Sequence, residues 1–131
     1  MNTRIYKMIS IISVDTGLKK YPKGQSNRNQ RTVNIADDLI KSNYDIICLQ
    51  GVYRKKSMEY FRDNLSKKYP EMFTYYEKGL ALFCKESFCI IHGLMADLNK
   101  KSGYTGVHVI YKGIKLFIVN LNNINFLNFL D

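Results

Sequence analysis

Short apolar runs separated by polar or turn-forming positions organise this chain. The run Ile46-Ile47-Cys48-Leu49 lies between Ser42-Asn43 and Gly51. It is far too short to cross a membrane and reads as a strand buried on both faces of a layered α/β domain. Before it, Val33, Ile35, Ala36, Leu39 and Ile40 share one face of a helix over residues 28 to 42, with Ser26 or Asn27 as its cap. After it, Met58, Phe61 and Leu65 recur at helical spacing from Lys55 to Tyr69, and Pro70 stops that helix. A first strand runs from Met8 to Val14, ends at Asp15-Thr16-Gly17, and gives way to a polar loop from Leu18 to Asn27. Further strands are predicted over 73–76, 79–84, 88–95 and 106–111, with Lys112-Gly113 as a hairpin turn into 114–121. Ile124, Leu127 and Leu130 lie three apart and read as the start of a last helix. The pattern predicts one α/β (α+β) domain over residues 1–131: a mixed β-sheet with helices packed on one face. Several strands are apolar on both sides, so the face away from the helices needs a second layer, which so short a chain is not expected to supply.

Composition narrows the partners rather than the fold. The chain has 131 residues, 46% hydrophobic and 24% charged, as a globular domain has. No apolar stretch is long enough for a transmembrane helix, and Met1 to Met8 lacks a signal-like apolar core. The formal charge of +9 makes polyanions plausible partners, nucleic acid and phosphate-bearing ligands among them. The lysines are spread out in pairs such as Lys19-Lys20 and Lys67-Lys68, which also fits ordinary solvated faces. Cys48, Cys84 and Cys89 are an odd count with no metal-binding spacing. They read as free thiols, and the expected location is intracellular and cytoplasmic. The Ile, Asn, Lys and Tyr vocabulary suits an AT-rich viral or reduced genome.

Five motifs, in order, resemble the endonuclease/exonuclease/phosphatase superfamily, the deoxyribonuclease-I-like group. Ile11-Ile12-Ser13-Val14-Asp15 resembles its first strand, which ends in Ser-x-Asn. Arg31-Thr32-Val33-Asn34-Ile35-Ala36 resembles Arg-x-x-x-Ile-Ala. Asp45 to Val52 resembles Asp-Ile-Ile-x-Leu-Gln-Glu-Val. Tyr69-Pro70 followed by Gly79 to Lys85 resembles Tyr-Pro and then Gly-Leu-Ala-Ile-Phe-Ser-Lys. Gly113 to Asn120 resembles the strand leading into Asn-Thr-His-Leu. The general look is nearest to neutral sphingomyelinase-type members. The resemblance covers nearly all of this chain but only the N-terminal half of a family domain. It implies half of a four-layer αββα sandwich.

The resemblance also implies a chemistry, hydrolysis of phosphate esters with a divalent cation such as Mg²⁺ held by oxygen ligands. At the matched positions this chain departs from the pattern. Gly51 stands where the family has its metal-binding Glu, Asp15 stands in place of the Asn, and Asn122 falls at the His. No cofactor is therefore expected. Asp15, Gly51 and Asn122 mark a degenerate site, and the expected role is a catalytically inactive binding or structural module. Its expected partner is a second copy or another protein, docked on an uncovered sheet face.

Two alternatives stay open. One is an active Mg²⁺-dependent phosphodiesterase of nuclease, phosphatase or sphingomyelinase type, with Asp15 the candidate metal ligand. The other is a basic nucleic-acid-binding module. His92 and His108 lie in strand patterns and read as structural. Asp37-Asp38 and Ser66-Lys67 read as solvated helix faces, and the ten tyrosines as filling for core and sheet faces.

Overall fold

The computed structural model describes residues 8–18, 27–100 and 102–122. The region 123–131, where a last helix is expected, lies outside the described residues, as do Ser26 and most of the loop after the first strand. In chain order the elements are β1 (Ile11–Leu18), α1 (Arg28–Ser42), β2 (Ile46–Val52), α2 (Lys55–Leu65), β3 (Glu71–Tyr75), a 3₁₀ turn (Tyr76–Lys78), β4 (Leu80–Cys84), β5 (Cys89–Asp97), β6 (Gly103–Tyr111) and β7 (Ile114–Asn122). The expected mixed sheet with helices on one face is present. Its strand order is β1-β2-β4-β3, with β1 and β2 parallel and the other pairs antiparallel.

The later strands do not extend that sheet. They form a second, antiparallel sheet in the order β5-β6-β7. This sheet is the layer that the sequence was not expected to provide. The inner face of β2 and β4, expected to be bare, is buried under it. Ile46, Cys48, Leu82 and Cys84 from the first sheet meet Val107, Val109, Tyr111 and Ile118 from the second, with Phe88 between the sheets. Phe88 and Tyr111 stack with ring centroids 4.5 Å apart. Close approach at the far end needs Gly93, since a Cβ there would sit 2.3 Å from the Phe73 ring.

The opposite face of the first sheet packs on the two helices. Alternation explains both cores. Ile47, Leu49, Ala81 and Phe83 point to the helices, while their neighbours Ile46, Cys48, Leu82 and Cys84 point to the second sheet. Each fully buried Leu, Ile or Phe contributes roughly 1.5–3 kcal/mol, so both faces of β2 and β4 matter to stability. Ala36, Leu39, Met58, Phe61 and Leu65 supply the helical side, with Tyr69 closing the end. Tyr69 donates from its hydroxyl to the Tyr44 carbonyl at 2.7 Å. Asp45 fastens the start of β2. It accepts from the Ser10 backbone N–H at 2.9 Å, and Lys85 lies 3.5 Å from it.

Two boundaries differ from expectation for one reason. Asp15-Thr16-Gly17 does not end β1. The strand continues to Leu18 across a register shift between Asp15 and Leu18. Gly51 likewise does not bound β2, which runs on to Val52. The irregularity in one strand faces the irregularity in the other, and both lie at the candidate site.

Candidate functional site

Three strand ends converge there. Asp15 pairs with Gln50 in the β1–β2 ladder. Gly51 follows in β2 with φ +77°, a left-handed conformation that L side chains rarely adopt. A Cβ on Gly51 would lie 2.6 Å from Asp15 Oδ1, 3.2 Å from the Gly17 nitrogen and 3.5 Å from Thr16 Oγ1. The carboxylate of Asp15 thus occupies the space in which a side chain at position 51 would begin. It is held there by the Gly17 backbone N–H, which donates to Oδ1 at 3.1 Å. Thr16 donates from its hydroxyl to the Gln50 carbonyl at 3.0 Å, and Arg31 donates to the Thr16 carbonyl at 2.7 Å. The β1 tip is therefore pinned from β2 and from α1.

The second sheet enters through two asparagines. Asn120 on β7 is buried and donates to the carbonyls of Leu49 and Ala81, each at 3.1 Å. Its own oxygen accepts from Gln50 Nε2 at 2.8 Å, and Gln50 also donates to Ser13 Oγ at 2.8 Å. Asn122 donates to the Lys78 carbonyl at 2.7 Å and to the Tyr53 hydroxyl. Burial pushes the Tyr53 phenol up; the bond from Asn122 opposes that shift and the nearby Asp15 charge adds to it. Lys78 is itself buried, and its ammonium donates to the carbonyls of Asn99 and Lys100 at 2.9 and 2.8 Å.

The structure therefore brings Asp15, Gly51 and Asn122 to one end of the sandwich. It also recruits Arg31, Gln50, Tyr53, Lys78 and Asn120, to which the sequence reading gave no role. Arg31, Gln50 and Asn120 lay inside matched motifs, and that was the available signal. Asp37 and Asp38 are exposed on α1, away from this end. His92 and His108 face each other across β5 and β6 on the outer side of the second sheet, with His108 tilted against Phe117 at 4.7 Å.

A hard dication requires several oxygen donors with spare lone pairs. At this tip Asn120 donates to two carbonyls and its oxygen is engaged by Gln50, while Asn122 donates to the Lys78 carbonyl and the Tyr53 hydroxyl. No group of three or more His, Cys, Asp or Glu side chains that could hold a metal ion occurs among the described residues. Asp15 is the carboxylate present among the residues described here, and its Oδ1 is engaged by Gly17. This donor set does not fit a Mg²⁺ centre of the kind the motif resemblance implies.

No family model and no curated protein sequence matches the chain. Its architecture does match solved structures, and the fold they share with it is deoxyribonuclease-I-like. Among them, a β-hairpin deletion mutant of beta toxin from Staphylococcus aureus aligns with TM-score 0.68 and 13% identity over 84% of this chain. Sphingomyelinase C from Streptomyces griseocarneus gives 0.69 and 14% over 85%. TDP2 from C. elegans gives 0.72 and 17% over 87%. This chain spans only 49%, 47% and 35% of those three, in the same order. Identity this low establishes the fold alone. Among the described residues no helix is long and apolar enough to cross a membrane.

Proposed function

We propose that this chain is a non-hydrolytic version of the fold, serving as a binding or structural module. One observation carries the reading. The position matched to the metal-binding carboxylate is a glycine in a left-handed conformation, and Asp15 Oδ1 lies where its Cβ would be. A side chain there is opposed by both the backbone and the packing. Asn122, at the position matched to the histidine, spends its amide on Tyr53 and Lys78, and an amide has no proton to exchange near neutral pH.

The test is a panel of DNA, phosphomonoester and sphingomyelin substrates with Mg²⁺ and with Mn²⁺. Turnover at the buffer background is the expected result. Metal-dependent turnover that disappears in Asp15→Ala overturns the reading in favour of an active phosphodiesterase. The charge of +9 supports a second reading, a module that binds nucleic acid through phosphates. Oligonucleotide binding that falls steeply with added salt supports it, and absent or salt-insensitive binding removes it.

A further inference from the structure

The second sheet sits over the first with β5 and β6 near β3, and with β7 over β2 and β4. Among the described residues, that offset leaves β1 projecting beyond β7 with no strand above it. Its inward residues Ile11 and Ser13 are exposed. They form, with Cys48, Gln50 and the β7 stretch from Phe117 to Leu121, an open groove of about 490 Å³. The flank of the sandwich is thus a step: β1 is the projecting tread and β7 the set-back riser.

The four sheet edges are not alike. β3 is only five residues long, and β5 is broken by a register shift between Ile90 and His92. β7 is nine residues in unbroken register with β6, without proline and with Lys115 its one charge. Among the described residues it has no strand on its other side. A long, regular, nearly uncharged edge is a template for another strand.

We infer that the stepped flank binds a second copy of this chain about a two-fold axis lying between the sheets. β1 of each copy lies beside β7 of the other. A step of this kind is its own complement, because the rotation exchanges the two sheet levels and sets each tread against the other's riser. The result is a continuous two-sheet sandwich with a helix pair on each outer side. Nine residues at about 3.3 Å each give a flank roughly 30 Å long; across two sheets it is about 20 Å deep. Roughly 600 Å² per copy results, close to the ~800 Å² per partner of a stable interface. Near the axis, Ile11 and Ser13 of one copy face Ile11 and Ser13 of the other. This names the occupant for the binding role proposed above and rests on that reading.

The experiment is light scattering and sedimentation of the whole chain across a micromolar dilution series. A mass of twice 15.3 kDa is expected. Ile11→Lys and Ser13→Lys place like charges at the axis and are expected to weaken the dimer at least tenfold, with circular dichroism unchanged. Ile91→Lys, on the opposite edge strand and already 48% exposed, leaves the dimer intact. Backbone amides of β7 exchange more slowly as concentration rises. A monomer throughout, a dimer indifferent to Ile11→Lys and Ser13→Lys, or an assembly formed only with a different polypeptide each overturns the inference. A monomer without hydrolytic activity removes the dimer alone; a hydrolytic dimer removes the loss of chemistry alone.

Discussion

Gly51→Ala measures how firmly the tip of the central strand excludes a side chain. Holding an L-residue at φ +77° costs about 1–2 kcal/mol. The added Cβ also sits 2.6 Å from Asp15 Oδ1, so the carboxylate must rotate away and give up its bond from the Gly17 N–H. That bond is exposed, and losing it costs about 0.5–1 kcal/mol. The total is about 1.5–3 kcal/mol, or roughly 6–12 °C in melting temperature for a domain of this size. Urea unfolding followed by circular dichroism reads it directly. The two contributions separate in a double-mutant cycle with Asp15→Ala. Removing the carboxylate relieves the contact but leaves the backbone cost, so a coupling of about 0.5–1 kcal/mol is expected. If Gly51→Ala lies within ~0.5 kcal/mol of the parent, the tip tolerates a side chain and the reasoning fails. Gly51→Glu carries the same backbone cost and is expected to bring no metal-dependent turnover.

Other positions give independent readings. Asn120→Ala removes a donor from each of two buried carbonyls, those of Leu49 and Ala81, and one of the acceptors of Gln50, which keeps Ser13. A loss of about 2–3 kcal/mol in urea unfolding is expected, and a loss under 1 kcal/mol means the two sheets do not depend on it. Asp45→Ala frees the Ser10 N–H and leaves Lys85 without its carboxylate, for about 2 kcal/mol by the same measurement. Burial pushes the Cys48 thiol up to about 11 and the Cys84 thiol to about 12, from 9.0 for both. At pH 8, thiol titration of the folded chain modifies exposed Cys89 first, and the other two react on unfolding. Because both folded values lie above the unfolded one, this contribution to stability is fully present below about pH 9. It is lost as the pH rises toward 11–12, so the unfolding midpoint declines over that window, and declines less when both cysteines are replaced by alanine.

The readily legible parts of this chain were those in which one physical signal acts alone. The apolar stripe of α1 fixed its span at Arg28–Ser42, and the unbroken apolar run of β2 located the central strand. Pro70 was assigned as the stop for α2, yet the helix ends earlier, at Leu65, because the main chain turns there to bring Tyr69 under the sheet. Partition into two sheets was not legible. Strands buried on both faces look alike whether they are covered by helices or by other strands, and only the offset between sheets tells them apart.

The site was legible as positions and not as an arrangement. Gly51 and Asp15 read as two separate departures from a motif. In space they are one feature, since Asp15 Oδ1 fills the volume that a side chain at 51 would need. Asn120 and Asn122 lie on the same face of β7, yet they do different things. Asn120 ties the second sheet to β2 and β4, while Asn122 caps Lys78 and Tyr53. Both spend their amides on holding the layers together. Asn120 and Asn122 therefore tie the second sheet to the first at this end, while Asp15, Thr16 and Arg31 bond within the first sheet and its helix.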